Sequence, residues 1–299
     1  MTHAGVEVVR SFIVESGMAE GSIMERRAAF EALTAAGPPE GADMTPGTLG
    51  GRPAEWVRAD GVADRAVILY LHGGGYCMGS PGTHRALAAG LSAAAGCAVV
   101  ALDYRLAPEH PFPAAVDDAC AAYRELLTGG TAPGSVAIAG DSAGGGLTVA
   151  TLVALRDAGS PLPAAAACLS PWVDLTQSAA SYDTRSELDP MVTKAGLDEM
   201  AAAYLDGADA RAGLASPLFA GSLAGLPPIV VEVGDHEVLL DDAVGLARRI
   251  EADGGRVTLT VWPELIHVFQ AFPSSLIPEA GQSIGAIGSF LAEHLAEPS

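Results

Sequence analysis

Past about residue 60 the chain alternates two hydrophobic patterns. Short apolar runs, many of them β-branched, occur at AVILYLH (66–72), AVVALDY (98–104), SVAIAG (135–140), AAACLS (165–170), PIVVEVG (228–234) and RVTLTVW (256–262). Ala- and Leu-rich segments such as AAVDDACAAYRELL and GLTVATLVALRDAG lie between several of them. Unbroken apolar runs read as strands buried on both faces, and the segments between them as covering helices, which predicts an α/β architecture with a mostly parallel sheet. The stretch 240–250 carries a helical stripe, with Leu240, Val244 and Leu246 to Ile250 at spacings of three and four.

Two stretches stand outside this alternation. Residues 1–45 read as helical, with Ile23, Phe30 and Leu33 on one face before GPPEGAD breaks the pattern. Residues 176–227 turn polar, then Ala-rich, then Gly/Pro-rich between two strands. Insertions at strand ends are where such a sheet builds a lid. The expectation is a single domain, 1–299, with cap elements at about 1–45 and 176–227.

Composition narrows the partners. A chain with 49% hydrophobic and 17% charged residues can bury a sizeable core. Its net charge of −20 repels phosphate backbones and anionic membranes, so neither nucleic acid binding nor stable membrane insertion is expected. No run approaches the length of a membrane span, and MTHAGVEVVRSF lacks a basic start followed by an apolar core. The four cysteines, Cys77, Cys97, Cys120 and Cys168, are scattered and read as buried free thiols, which fits a cytoplasmic location. The partner expected is a small molecule, and homo-oligomerisation is left open.

Candidate chemistry sits at the strand ends. Gly140-Asp141-Ser142-Ala143-Gly144 fits G-x-S-x-G between a strand and a helix, the setting of a nucleophile elbow. A turn serine is the plainer reading of Ser142, so the pattern needs companions. One is His72-Gly73-Gly74-Gly75, again just after a strand. There the N–H groups of Gly73 and Gly74, with that of Ala143, would form an oxyanion hole. His72 reads as structural, orienting this loop. His267, after the last strand-like run, is the candidate base. The acid is sought in VEVGDHEVLLDDA: Asp241 and Asp242 read as a solvated helix face, whereas Asp235 and Glu237 lie on the turn, and either could hold the imidazole tautomer. A metal site from Asp235, His236, Asp241 and His267 has no recognised ligand spacing, so neither metal nor organic cofactor is expected.

HGGG at 72–75, DYRLAPEHPFPAA at 103–115, GDSAGG at 140–145, EVLLDDA at 237–243 and HVFQAF at 267–272, in that order, resemble the hormone-sensitive-lipase-like, or microbial family IV, carboxylesterases. The resemblance covers about residues 66–290. It implies an α/β-hydrolase fold, Ser142 as nucleophile, His267 as base and the HGGG glycines as oxyanion donors. The family pattern D-x-L-x-D-[DE]-[GA] falls on Glu237 to Ala243, so it puts Glu237, not the usual Asp, in the acid's place, with Asp235 the alternative. The segment from Tyr104 to Ala115 resembles a scaffold bracing the site. The cap stretches would close an acyl pocket, for which Tyr76, Trp172, Met191 and Tyr204 are the candidate lining residues. Hydrolysis of short-to-medium acyl esters is implied. The rivals are an amidase, lactonase or acyltransferase on the same three residues, and a non-catalytic binder, disfavoured because His267 is present.

Overall fold

The computed structural model describes residues 3–16, 21–62 and 66–295. Its strands are β1 (Ala42–Leu49), β2 (Arg52–Ala59), β3 (Val67–Leu71), β4 (Ala98–Leu102), β5 (Val136–Asp141), β6 (Ala165–Leu169), β7 (Ile229–Gly234) and β8 (Val257–Trp262). They form one eight-stranded sheet in the order β1-β2-β4-β3-β5-β6-β7-β8. From β4 to β8 all neighbours are parallel, while β2 runs antiparallel to both β1 and β4. The helices are α1 (Ala4–Ser16), α2 (Ile23–Thr34), α3 (Arg85–Ala95), α4 (Ala114–Thr128), α5 (Ala143–Asp157), α6 (Ser181–Thr184), α7 (Lys194–Leu205), α8 (Leu240–Ala252) and α9 (Pro278–His294).

The six apolar runs became the parallel strands β3 to β8; the first five are covered on both faces, and β8 lies at the sheet edge with its side chains only partly covered. Every residue of β3, β4, β5, β6 and β7 is buried. Side chains alternate between two cores, as the pleat requires. Ile68 and Tyr70 of β3 pack with Leu87 and Leu91 of α3 and Ile287 and Leu291 of α9. Leu69 and Leu71 face the other way, towards Tyr123 of α4, Leu147 of α5 and Leu246 of α8. The four cysteines are free and buried. No helix among the described residues is long and apolar enough to cross a membrane.

Three readings of the pattern need correction. The sheet gains β1 and β2, which carry Pro46, Gly47 and Pro53 where an apolar run would be expected. β1 lies at the sheet edge with most of its side chains in water, so it had no hydrophobic signature to show. It begins at Ala42, so residues 42–45 belong to the sheet, not to the helical stretch; residues 1–2 and 17–20 of that stretch lie outside the described residues. Finally, the apolar face of α2 is only partly used: Ile23 and Phe30, both half-buried, pack against the core and against His84 respectively. Leu33 is exposed, and the buried residue is Arg26. Arg26 pairs with Glu199 of α7, and Arg27 donates to the carbonyls of Cys77 and Ala107, both at 2.6 Å, and to Glu109.

The other N-terminal helix packs conventionally. Val6, Val9 and Ile13 of α1 are buried against Leu265, Ile266 and Phe269, the loop after β8. Burying an aliphatic side chain of this size stabilises by about 1.5–3 kcal/mol. Deleting residues 1–16 should therefore lower the urea midpoint and raise binding of a hydrophobic dye. A truncated protein with the full-length midpoint and no added dye signal would show that α1 contributes nothing to this core.

Candidate active site

The turn from β5 into α5 is tight because two glycines let backbones touch. A Cβ on Gly144 would stand 1.9 Å from the Leu71 carbonyl oxygen and 2.6 Å from that of His72. One on Gly140 would stand 2.3 Å from the Gly144 carbonyl oxygen. Ser142, between them, is held at φ 54° and ψ −123°, a backbone conformation that L-residues rarely adopt. Its N–H donates to the Leu169 carbonyl at 2.8 Å, and its own carbonyl accepts from Trp172 N–H at 2.9 Å. Ser142 thus precedes the first turn of α5, where free N–H groups favour negative charge.

The same segment after β6 also holds the histidine. Ser170 Oγ accepts from Val268 N–H at 3.1 Å and donates to Glu237 Oε1 at 2.9 Å. Glu237, fully buried, accepts from Gly234 N–H on that same oxygen, while its Oε2 meets His267 Nδ1 at 2.8 Å. His267 Nε2 has no hydrogen-bond partner among the described residues. Burial pushes the imidazole pKa down, but the Glu237 hydrogen bond and charge, aided by Asp189 and Asp141, leave it above its ordinary value. Asp235 is placed elsewhere: its Oδ1 accepts from Glu264 N–H at 2.7 Å, and the ring beside it is His236. Ser142, His267 and Glu237 are therefore gathered around Leu169 to Trp172, and Asp235 is not among them.

A family model for the α/β-hydrolase fold matches residues 68–271. The chain is 48% identical over 296 residues to an acetyl-hydrolase of Streptomyces hygroscopicus, covering 97% of each chain. It is 36% identical to the carboxylesterase/phospholipase LipF of Mycobacterium tuberculosis, over 88% of this chain and 72% of the relative. Among solved structures it is similar to an esterase of the bacterial hormone-sensitive lipase family, with TM-score 0.94, 45% identity and 98% of both chains covered. A hormone-sensitive lipase from a metagenome library matches with TM-score 0.93 and 39% identity, over 99% of this chain and 100% of that one. The chain belongs to the hormone-sensitive-lipase-like esterases of the α/β-hydrolase fold.

In this esterase the HGGG loop is set by a buried charge. Asp141 Oδ1 accepts from Gly73 N–H at 2.9 Å and from the Tyr70 hydroxyl, while Oδ2 lies 3.4 Å from His84 Nε2. Burial pushes the Asp141 carboxyl up, but His84, Tyr70 and His72 outweigh it and hold its pKa below the usual range. Gly73 is consequently the wrong glycine for an oxyanion hole, because its N–H is already engaged. The N–H groups of Gly74, Gly75 and Ala143 have no acceptor among the described residues. Gly74 and Gly75 take φ +113° and +61°, and a Cβ on Gly74 would stand 2.2 Å from the Met78 carbonyl oxygen. His72 orients the loop: burial and His84 lower its pKa to about 3, Nδ1 meets the Gly73 carbonyl, and the ring stacks on Tyr104 at 4.3 Å. The segment after β4 clasps this loop, with Tyr104 Oη donating to the His72 carbonyl and Ala107 N–H to that of Tyr76.

The lining candidates separate. Tyr76 stacks on Tyr204 at 3.8 Å, and Trp172 lies 6.0 Å from Tyr76. The hydroxyls of both tyrosines and Trp172 Nε1 are buried with no hydrogen-bond partner among the described residues. Met191 instead packs with Leu265, Ile266 and Phe269. No group of three or more His, Cys, Asp or Glu placed to hold a metal occurs among the described residues. Asp242 is not on a solvated face either: fully buried, it accepts from Val173 and Asp174 N–H, both at 2.9 Å, and from Tyr182 Oη at 2.8 Å. Burial lifts its pKa to about 7.

Sequence reading missed Asp141, His84, Ser170, Gly75 and Asp189. Only Asp141 and Gly75 lie inside a motif. The others sit in loops with no local signal and join the site through long-range contacts. The elbow geometry yields a clean test. Gly144→Ala must displace backbone at Leu71, which we expect to destabilise by about 3 kcal/mol or more. Gly285→Ala, with nothing within 4 Å of the added Cβ in α9, should be neutral or stabilising by up to about 1 kcal/mol. Equal urea midpoints for the two variants would contradict the close approach.

Proposed function

We propose that this esterase cleaves carboxylic esters through Ser142 as nucleophile, His267 as general base and Glu237 as the acid that fixes the imidazole. The observation that carries the reading is the 2.8 Å contact of His267 Nδ1 with buried Glu237, which leaves Nε2 free for a serine proton. His267 takes the proton from Ser142 as Oγ attacks the ester carbonyl. Gly74, Gly75 and Ala143 donate N–H bonds to the oxyanion, with Gly75 taking the place first given to Gly73. His267 then protonates the leaving alcohol, and afterwards activates the water that frees the acid and Ser142.

Short-to-medium acyl esters fit best. The 48%-identical relative is named an acetyl-hydrolase, which supports a short acyl group. Tyr76, Trp172 and Tyr204 line the acyl pocket in this reading, and residues 1–41 with 176–227 form its cap. The Arg26–Glu199 pair and the Arg27 bonds, which tie α2 to α7 and to the loop at Cys77, support that cap. A small-molecule ester is the only partner the chemistry requires.

Replacing Ser142 by Ala should abolish turnover, a loss on the order of 10⁶-fold for a triad serine, with the fold intact. An organophosphorus probe should label Ser142 in the wild-type protein. Wild-type rates in the Ala variant would remove Ser142 from the mechanism.

The base sets a pH limb. His267 must be neutral to accept a proton, and its pKa lies above the ordinary imidazole value. Activity is therefore full at pH well above that raised pKa and is lost as pH falls through it. Glu237→Gln removes the charge that raises it, so the limb should move to lower pH while the plateau drops by about 10²-fold or more. The measurement is kcat/KM for a non-ionising ester against pH, with stability checked at each point. A wild-type profile flat into strong acid would rule out a histidine base.

A further inference from the structure

We propose that Asp189 is a positioning residue for acyl transfer: its carboxylate fixes the backbone next to Glu237 and sets a second negative charge beside the Glu237–His267 pair. The inference rests on the triad reading above and deepens it.

Asp189 belongs to the segment between β6 and β7, not to the sheet. It is 5% exposed. Oδ1 accepts from Met191 and Val192 N–H, each at 2.9 Å, so the carboxylate first folds its own loop. Oδ2 reaches outside the loop to Val238 N–H at 3.0 Å. Val238 directly follows Glu237, so this bond pins the peptide on which the proposed triad acid stands. Glu237 is thereby held from two sides, by Ser170 and Gly234 on its carboxylate and by Asp189 on its backbone.

No cation neutralises Asp189 by direct contact. No ion pair joins its carboxylate to a described residue: Arg185 meets Asp189 only through its own carbonyl, which accepts from Asp189 N–H at 3.0 Å, and the Arg10 guanidinium goes to the Leu188 carbonyl. The titratable groups that face it are His267 and Glu237. Burial raises its pKa to about 6, with His267 pulling it down and Glu237 pushing it up. On the other side, the carboxylates acting on His267 are Glu237, Asp189 and Asp141, and Asp141 is already bound to His84 and Tyr70. Asp189 is thus a buried acid without a cation, poised to stabilise an imidazolium as it forms. A buried carboxylate without a countercharge is costly even when backbone N–H groups satisfy it, and the imidazolium at His267 is the charge that the reaction supplies.

The test compares Asp189→Asn and Asp189→Glu with the wild-type protein, using kcat and KM for a short-chain non-ionising ester across pH. In the Asn variant the acid limb of kcat/KM should move to lower pH by about half a unit or more, because a charge favouring imidazolium is gone. Its plateau kcat should fall about tenfold from misplacement of the base, with KM changed less than about twofold. The Glu variant keeps the charge at the wrong reach, so its limb should stay and its plateau fall. An Asn variant with the wild-type limb overturns the proposal, even if slower, since a purely structural role would reduce rate alone. If the Asn variant does not fold, the Glu variant decides: a shifted limb or an unaltered plateau overturns the proposal. Organophosphorus labelling of Ser142 and the wild-type limb are measured alongside. Absence of either brings down the triad reading and this one with it; presence of both isolates Asp189.

Discussion

The site depends on the contact between the start of α5 and the end of β3. With only hydrogen at Gly144 Cα, the first turn of the helix lies against the carbonyls of Leu71 and His72. That approach joins the two loops that follow neighbouring parallel strands. It puts Asp141 within reach of Gly73 N–H. The strained backbone of Ser142 is sustained by bonds from both sides, to Leu169 and from Trp172. Strain of this kind persists only where the surroundings over-determine it.

Around that turn the protein buries several carboxylates and gives each a defined partner set. Asp141 is satisfied by Gly73, Tyr70 and His84, and so is the bracket of the HGGG loop. Glu237 is satisfied by Ser170, Gly234 and His267. Asp242 collects two backbone N–H groups and a tyrosine hydroxyl, which ties the segment after Trp172 to α8. Unpaired, each would carry the desolvation penalty of a buried charge. Paired, each fixes one loop to another, which is how irregular segments hold a geometry as closely as strands do.

The N-terminal helices attach by two different physical means. α1 uses apolar packing on the loop that carries His267. α2 uses guanidinium groups, with Arg27 satisfying two carbonyls and Glu109 at once. A planar, always charged donor suits a seam made of backbone oxygens.

The sequence by itself determined the parallel strands from β3 to β7, because a strand buried on both faces must be apolar along its whole length, and it showed β8 at the sheet edge by its β-branched alternation. It also showed the tight G-x-S-x-G turn at Ser142, whose glycines have steric reasons, and the chain order of Ser142, the turn carrying Asp235 and Glu237, and His267. It did not show β1, at the sheet edge with most of its side chains in water, or β2 beside it, nor the arginine bonds that seat α2 together with Ile23. Tertiary structure alone decided which of Glu237 and Asp235 meets His267, because both occupy the same turn and the histidine lies thirty residues further on. It likewise moved the free donor from Gly73 to Gly75, since Asp141 reaches Gly73 across 68 residues of chain. Local chemistry is written in local sequence. Which hydrogen bond a group finally makes depends on neighbours that only folding brings within three ångströms.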